Sequence, residues 1–356
     1  MSKIRFAIVG SGWRALFYVR IARALPEYFE VTAMLLRSID KAERFHTQYQ
    51  IPTTISKERL LRTRPDFVVV AVDKPSVAKV SIEYLQAGVP VLAETPAGDS
   101  LRDLLRLWDA RQRLNGKIQV AEQYYRYPTL AAKIAAVRMG LLGDPYFVNI
   151  STVHDYHAAS LIRQFLNTGN EAVTVFGKRY YVPIVQTDSR NGLTTEGVLK
   201  EYNERVRLTL EFESGKTAFY DFGGVQYHSY IRTRHLNVQG PKGELDDDTI
   251  RYVNEDNVPV CQQICPLPSS TTPDILAVTM GGQLLYRSEY PLTGLTEDEI
   301  AIADLLRYMK TYVDTGTEPV PGFTDTMQDA YIYTLMNQAA SHPDQKIVSE
   351  KQPWNP

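Results

Sequence analysis

One stretch near the amino terminus limits the possible folds more than any other part of the sequence. A strand-like run at Ile4–Val9 leads directly into "GSGWRA", in which Gly10, Gly12 and Ala15 have the spacing G-x-G-x-x-A, and a helix pattern follows. Gly10 permits a tight turn, Gly12 allows a pyrophosphate to approach the backbone, and Ala15 lets helix and strand pack closely. Because the helix amino terminus also offers free N–H groups and a partial positive charge to phosphates, the stretch predicts a dinucleotide-binding site of the Rossmann type. The same loop contains Ser11, Trp13 and Arg14.

The first third of the chain alternates apolar runs with helix-period segments. The predicted strands are Ile4–Val9, Val31–Leu36, Phe67–Val72, Val89–Leu92 and Ile118–Ala121. The predicted helices are Ala15–Ala24, Lys41–Tyr49, Val77–Gln86 and Leu101–Leu114. Continuous apolar strands between helices are typical of a parallel sheet that is covered on both faces. With right-handed crossovers, the pattern predicts a doubly wound α/β domain over residues 1–122.

The remainder of the chain, residues 123–356, has a different pattern. Helix patterns occur at Thr129–Met139 and Ala158–Leu166. The strand-like runs are Tyr146–Thr152, Tyr180–Val185, Arg205–Phe212, Thr217–Phe222 and Arg234–Gln239. Turn signals such as "ESGK" and "GPKG" separate some of these runs. The pattern supports a second, α+β domain.

Composition narrows the class of partner. The 356 residues are 44% hydrophobic and 22% charged, with a net charge of −2, so no nucleic-acid or anionic-membrane surface is expected. The apolar runs are too short to span a bilayer, and the first strand begins too early for a signal peptide, so a cytoplasmic location is expected. The cysteines, Cys261 and Cys265, have no nearby histidine, and no metal site is predicted.

The end of the second predicted strand indicates which nicotinamide dinucleotide is bound. A site for NAD usually carries an acidic residue there, which holds the ribose 2′-OH. This chain instead has Leu36, followed by Arg37 and Ser38. Because an arginine can pair with the 2′-phosphate of NADP and a serine can donate a hydrogen bond to it, the sequence favours NADP(H) over NAD(H).

A series of motifs follows in order along almost the whole chain: "GSGWRA", "DFVVVAVDKPSVAKVSIEYLQAGVPVLAETPAG", "VAEQYYRYP", "VHDYHAASLIRQFL", "LNVQGPKGEL", "EDEIAIADLLRYMK" and "TDTMQDAYIYTLMNQAA". Together they resemble the glucose–fructose oxidoreductase / inositol dehydrogenase (Gfo/Idh/MocA) family. The resemblance implies nicotinamide-dependent redox chemistry on a carbohydrate or polyol. It also implies a second domain with a large open, mainly antiparallel sheet, whose face forms the substrate cleft and often the interface of a homodimer or homotetramer.

The family's Glu-Lys-Pro motif is altered here. Glu94 and Pro96 match it, but Thr95 replaces the lysine that lies beside the nicotinamide in the family. Since the threonine hydroxyl carries no charge near neutral pH, another group is needed. Lys74 lies just past the third strand, where residues line the cofactor crevice, and is a candidate replacement. Its neighbours Val72 and Asp73 are expected at the same edge.

A helix in the second domain carries the second catalytic candidate. His157 matches the family histidine, but Val153 stands where the family has an aspartate. His154 and Asp155 are close in sequence, and either would be able to orient His157 or supply a second titrating group. We therefore expect His157 to be the acid/base residue, with Lys74, Asp155 and His154 as further catalytic candidates.

Two further segments supply candidate binding residues. The resemblance implies that the turn "EQYYRYP", with Glu122, borders both cofactor and substrate, so Gln123 is assigned to the cofactor. Tyr124 and Arg126 from this turn are candidate substrate-binding residues, and Arg126 would alternatively brace the domain junction. Tyr227 and His228 lie in "GGVQYHSYIRTRH" and are further candidates, although strand alternation directs only half of such residues to one face.

The sequence leaves three functions open. The first is an oxidoreductase that transfers hydride to or from a sugar, cyclic polyol or sugar derivative. The second is a glycoside-cleaving enzyme that keeps its NAD(H) bound and uses transient oxidation and elimination. The third is a non-catalytic sensor of nucleotide or metabolite, which the missing lysine and aspartate would suit.

Overall fold

The apolar runs of the first domain form a parallel sheet in the computed structural model, which describes residues 3–189 and 192–355. Its strands are β1 (Ile4–Val9), β2 (Phe29–Leu35), β3 (Thr53–Thr54), β4 (Phe67–Val70), β5 (Val91–Ala93) and β6 (Ile118–Val120). The helices between them are α1 (Ala15–Ala24), α2 (Ile39–Tyr49), α3 (Lys57–Arg62), α4 (Lys74–Gln86) and α5 (Leu101–Leu114). The spatial order β3-β2-β1-β4-β5-β6 confirms the predicted Rossmann-type arrangement.

Local sequence explains these elements. Every residue of β4 is fully buried, as expected for a strand that helices cover on both faces. Helices α2 and α5 begin after serines, Ser38 and Ser100, whose hydroxyls accept hydrogen bonds from backbone N–H groups of the first turn. Helix α5 ends at Asn115 in the left-handed conformation, which asparagine tolerates.

The second half of the chain forms a larger sheet. Its strands are β7 (Phe147–Ser151), β8 (Val173–Val185), β11 (Leu199–Phe212), β12 (Thr217–Phe222), β13 (His235–Gly240), β14 (Gly243–Asp246), β15 (Thr249–Val253), β16 (Pro259–Pro268), β17 (Ile275–Met280), β18 (Gln283–Arg287) and β19 (Ile347–Val348). A small ribbon of β9 (Asp188–Ser189) and β10 (Gly192–Leu193) stands apart. In the described residues β7 and β12 are parallel neighbours and the other pairs are antiparallel, which confirms the predicted mainly antiparallel sheet.

Four helices complete the fold: α6 (Pro128–Arg138), α7 (Asp155–Leu166), α8 (Glu297–Thr315) and α9 (Phe323–Ser341). Helices α6, α7 and α9 pack on one face of the large sheet, while α8 packs on α1. The opposite face of the sheet is open and exposes aromatic rings such as Phe147 and Phe219. Because β6 ends beside the start of α7, polar residues from both halves of the chain meet at one junction.

The structure extends the predicted pattern at several elements, among them helix α7 and strands β14 to β18. Helix α7 begins at Asp155 rather than Ala158, which places His157 in its first turn. Strands β14 to β18 were not among the predicted strands, because their exposed positions weaken the apolar alternation. Within residues 3–189 and 192–355, no helix is long and apolar enough to cross a membrane. No group of three potential metal ligands was found in the same ranges.

Candidate functional site

The glycine loop after β1 forms one wall of a cavity of about 620 Å³. Gly10 has a φ of +122°, and a Cβ added there would lie 2.0 Å from the carbonyl oxygen of Ala71. Only glycine fits this close approach, whereas a Cβ at Gly12 would face open space. Ala15 is fully buried beneath the loop. The predicted residues that line the cavity are Gly10, Ser11, Gly12, Trp13, Arg14, Arg37, Val72 and Asp73.

An exposed ion pair crosses the mouth of this cavity. Arg37 Nη2 lies 3.0 Å from Asp73 Oδ1, and 85% of the Arg37 side chain is exposed. Arg37 follows β2 and Asp73 follows β4, so the pair spans the carboxyl end of β1 between them. Hydrogen bonds from the hydroxyl of Ser76 and from Arg37 hold the pKa of Asp73 below its usual value. Ser38 caps α2 by accepting a hydrogen bond from the Lys41 N–H at 3.4 Å.

Arg14 ties the glycine loop to two carboxylates. Its Nε donates to Glu94 Oε1 at 3.2 Å, and its Nη1 donates to Asp298 Oδ2 at 2.8 Å. Tyr18 also donates to Glu94 Oε1, at 2.5 Å. Glu94 of the altered motif therefore fixes Arg14 and the start of α1. The same turn continues with the half-buried Thr95 and the buried Pro96.

The site offers an unused acceptor where the resemblance assigns the cofactor. Gln123 is 3% exposed, and its Oε1 accepts no hydrogen bond from the described residues. A buried amide oxygen without a donor costs free energy, which a carboxamide N–H of a bound ligand would recover. Together with the open space beside Gly12 in the cavity wall, this acceptor fits a nicotinamide dinucleotide.

His157 and Glu122 form a buried pair at the junction of the two sheets. Glu122 lies just after β6 and is fully buried, and its Oε2 is 2.6 Å from Nδ1 of His157. The other carboxylate oxygen, Oε1, accepts a hydrogen bond from the Tyr124 N–H at 3.0 Å. The orienting partner of His157 is therefore Glu122 rather than His154 or Asp155. An acidic residue directly after an apolar strand was the sequence signal for this role.

Burial sets the protonation of this pair. Burial, with smaller contributions from the cations Arg14 and Lys74, lowers the pKa of His157 to about 3. Burial also raises the pKa of Glu122 to about 8. Between these values both groups are uncharged, with one N–H on the imidazole and one proton on the carboxyl group, because the buried site disfavours both the carboxylate and the imidazolium.

His154, Tyr227 and Tyr124 surround His157. The hydroxyl of Tyr227 lies 2.6 Å from His154 Nδ1, and it accepts the backbone N–H of His154 at 2.9 Å. Tyr124 donates to Tyr227 at 3.4 Å, and its ring centroid is 4.3 Å from that of His157. Burial, and then the neighbouring His157, lower the pKa of His154 to about 4. The structure therefore brings four predicted site residues into one cluster: the catalytic candidates His154 and His157 and the substrate-binding candidates Tyr124 and Tyr227.

Lys74 and Asp155 lie at the edge of this cluster. Lys74 is the exposed first residue of α4, and its Nζ lies 5.6 Å from the ring centroid of Tyr333. Its charge reaches both histidines, whose pKa values are lowered first by burial and further by Lys74. Asp155 exchanges hydrogen bonds with Tyr220, through its N–H at 3.1 Å and its Oδ1 at 3.4 Å.

Two predicted substrate-binding residues lie outside the cluster. The guanidinium of Arg126 is 4.2 Å from the ring centroid of Tyr308 and lines a different cavity, which also contains Asp304. His228 lines a small third cavity with Asp188. Arg126 and His228 end 3₁₀ turns that also contain Tyr124 and Tyr227, respectively, and neighbouring positions in such a turn point in different directions.

Comparison with known proteins agrees with these observations. Residues 4–122 match the model of Gfo/Idh/MocA, an oxidoreductase family with an NAD-binding Rossmann fold. An uncharacterised oxidoreductase of Rhizobium meliloti is 27% identical over 146 residues, which are 40% of this chain and 44% of that protein.

Solved structures share the fold over nearly the whole chain. An oxidoreductase from Agrobacterium radiobacter, in complex with NAD+, L-tartaric acid and magnesium, has a TM-score of 0.69 and 14% identity over 97% of this chain and 98% of that chain. A levoglucosan dehydrogenase in complex with NADH has a TM-score of 0.69 and 13% identity over 98% of this chain and 100% of that chain. At these identities the likeness concerns the fold alone.

The two loop glycines provide a test of the cleft. We expect Gly10→Ala to lower the melting temperature, because strained backbone costs about 1–3 kcal/mol and the added Cβ meets Ala71. Gly12→Ala should leave the melting temperature unchanged and weaken nucleotide binding about tenfold, equivalent to ~1.4 kcal/mol. Thermal unfolding and calorimetric titration with NAD+ and NADP+ measure both effects. An unchanged melting temperature for Gly10→Ala would contradict the described loop.

Proposed function

We propose that this protein, which belongs through its amino-terminal domain to the Gfo/Idh/MocA oxidoreductase family, interconverts a carbinol and a carbonyl carbon in a carbohydrate or polyol. A bound nicotinamide supplies or accepts the hydride in such chemistry. The chain must then position the substrate, exchange its hydroxyl proton and stabilise the oxyanion. A levoglucosan dehydrogenase of the same fold supports this substrate class.

The observation that carries the proposal is the buried His157 beside the cleft. Nδ1 of His157 is hydrogen-bonded to Glu122, whereas Nε2 of His157 makes no hydrogen bond within the described residues. A neutral imidazole that is hydrogen-bonded to the protein through one nitrogen is suited to exchange a proton with a substrate at the other nitrogen. Tyr124 and Tyr227 lie close enough to offer hydroxyls to a polyhydroxylated substrate.

We assign to Lys74 the role of stabilising the negative charge that develops on the substrate oxygen. This exposed ammonium approaches the histidines from the start of α4, and its charge contributes to their lowered pKa values after burial. It thereby replaces the positive charge that Thr95 lacks. Since Lys74 also lies at the carboxyl end of a parallel strand, it is close to the crevice that would hold the nicotinamide.

The glycine loop would hold the pyrophosphate of the dinucleotide, and the buried Oε1 of Gln123 would accept a hydrogen bond from the carboxamide N–H of the nicotinamide. Arg37 would contact a 2′-phosphate, so NADP(H) is preferred in this proposal.

A second copy of the chain would pair on the open sheet face, which exposes Phe147 and Phe219.

Mass spectrometry of ligand released from freshly purified protein, followed by assays with a panel of sugars and polyols, tests the proposed function. Appearance of reduced nicotinamide with added substrate supports it. Permanently bound cofactor with glycoside cleavage, or nucleotide binding without any turnover, would instead favour one of the two other functions that the sequence left open.

Substitution of the histidine separates chemistry from binding. We expect His157→Asn to lower kcat by about 10²–10⁴-fold, the usual contribution of a general acid or base. The Kd for nucleotide should stay unchanged, because the glycine loop and Gln123 are intact. His342→Asn, at an exposed position on the last helix turn, is the control. Steady-state kinetics and calorimetry measure both; equal turnover in the two variants would contradict the assignment.

The proposed role of Lys74 has a matched control on the same helix. We expect Lys74→Met to lower kcat about 10²-fold, comparable to removal of one oxyanion donor. Lys79→Met removes a second exposed lysine of α4 and should leave kcat unchanged. Kinetics at saturating nucleotide distinguish the two variants. If both retain full kcat, another group replaces the missing lysine.

The ion pair at the cavity mouth predicts a shift in nucleotide preference. Arg37→Ala should weaken NADP+ binding and leave NAD+ binding nearly unchanged. Asp73→Asn should improve NADP+ binding by up to about fivefold, because an exposed pair is worth at most ~1 kcal/mol and the freed Arg37 can meet the phosphate. Calorimetric Kd values for both nucleotides measure the ratio. An unaltered ratio in both variants would show that Arg37 does not select the cofactor.

A further inference from the structure

Glu122 links the two halves of the chain through its hydrogen bond to His157. It comes from the end of β6, whereas His157 lies in the first turn of α7, so their hydrogen bond joins the two halves of the chain. The carboxylate is fully buried, and it makes one hydrogen bond with each oxygen. We propose that Glu122 is the positioning residue of His157 and stores its proton during the reaction. This inference rests on the proposed function.

The geometry couples proton exchange at Nε2 of His157 to proton transfer between Nδ1 and Oε2 of Glu122. The Tyr124 N–H holds Oε1 at 3.0 Å, which fixes the rotation of the carboxyl group. Oε2 therefore stays 2.6 Å from Nδ1, and Nε2 is left for the substrate. A proton that arrives at Nε2 of His157 can be balanced by the departure of the Nδ1 proton to Oε2, so the imidazole never carries two protons.

The step balances in atoms and charge. During oxidation, the substrate O–H bond breaks and an Nε2–H bond forms, while the Nδ1–H bond breaks and an Oε2–H bond of Glu122 forms. A bound nicotinamide would accept the hydride that the carbinol carbon loses as it becomes a carbonyl carbon. In reduction the same pair donates the Nε2 proton to the carbonyl oxygen and Glu122 returns its proton to Nδ1.

The charged groups around the pair act in opposite directions on the protonation of His157. Arg14 from the glycine loop and Lys74 from α4 oppose an imidazolium, while Asp298 from α8 and Asp155 from α7 favour one. Burial is the largest influence on His157, and it keeps the imidazole neutral. The rings of His154, Tyr124 and Tyr156 complete the surroundings and bring no further formal charge while they remain neutral.

The sign of the pH dependence follows from the raised pKa of Glu122, which burial brings to about 8. Below this value the pair carries its proton on Glu122, Nε2 is protonated, and the pair acts as an acid. Above it Glu122 is ionised, Nδ1 carries the proton, and Nε2 is a base. Oxidation should therefore speed up as the pH rises through about 8, and reduction should slow down.

Nuclear magnetic resonance of ¹⁵N-histidine in the full, nucleotide-free protein tests the proposal without activity. We expect His157, assigned with His157→Asn, to change from the Nε2–H to the Nδ1–H tautomer as the pH rises through about 8. In Glu122→Gln the pH-dependent change should disappear, because an amide neither gains nor loses a proton there. A wild-type His157 tautomer that is constant with pH would overturn the proposal.

Kinetics provide the second readout. Glu122→Gln should lower kcat for oxidation about 10²-fold and abolish its rise near pH 8, with nucleotide KM unchanged. Glu122→Asp should restore the pH dependence at least in part. Asp304→Asn is the control, since it removes another carboxylate of raised pKa, which is partly buried and lines the cavity of Arg126. A pH profile that is the same in Glu122→Gln as in the wild type would also overturn the proposal.

The two readouts separate this inference from the proposed function. A tautomer change without turnover of any carbinol supports the Glu122–His157 unit and contradicts the oxidoreductase assignment. Turnover without the tautomer change supports the assignment and contradicts the role of Glu122. If Glu122→Gln does not fold, the wild-type tautomer titration still decides the question.

Discussion

The hydrogen bond between Glu122 and His157 is the contact on which the site depends. It connects the carboxyl end of a parallel strand to the amino end of a helix on the large sheet. Helix α7 is buried along most of its length, so neighbouring apolar side chains fix the imidazole. The turn after β6 fixes the carboxylate through a backbone N–H. A shift of either sheet would break the alignment of both.

Electrostatics explain why this pair avoids the doubly charged form. A carboxylate and an imidazolium at a fully buried position would pay a large desolvation cost, whereas a neutral carboxylic acid beside a neutral imidazole avoids most of it. Arg14 carries the charge that the junction does contain, and Glu94 and Asp298 compensate it. Arg14 is thus paired at the junction, whereas Lys74 lies at its exposed edge.

The sequence was sufficient to predict the parallel sheet, the glycine loop and most of helix α7, because each depends on local pattern, although the predicted helix began at Ala158, one residue after His157. It was not sufficient to identify the partner of that histidine. Glu122 is 35 residues away from His157 and approaches it only through the packing of two sheets. The directions in which the side chains of Arg126 and His228 point were also not predictable from the sequence. Both residues lie in 3₁₀ turns, where adjacent side chains point in different directions and the hydropathy pattern does not indicate which one faces the site.

The two departures from the family pattern can be understood together. Thr95 removes a positive charge and Val153 removes a negative one, so the substitutions compensate each other in net charge. In the proposed mechanism, Lys74 and Glu122 take over these two roles from other elements. With Glu122 already bonded to Nδ1, an aspartate at position 153 would place a second carboxyl group one turn from the histidine, and like charges at a buried site are unfavourable. Val153, which is 1% exposed in the core, is the residue type that such a site favours.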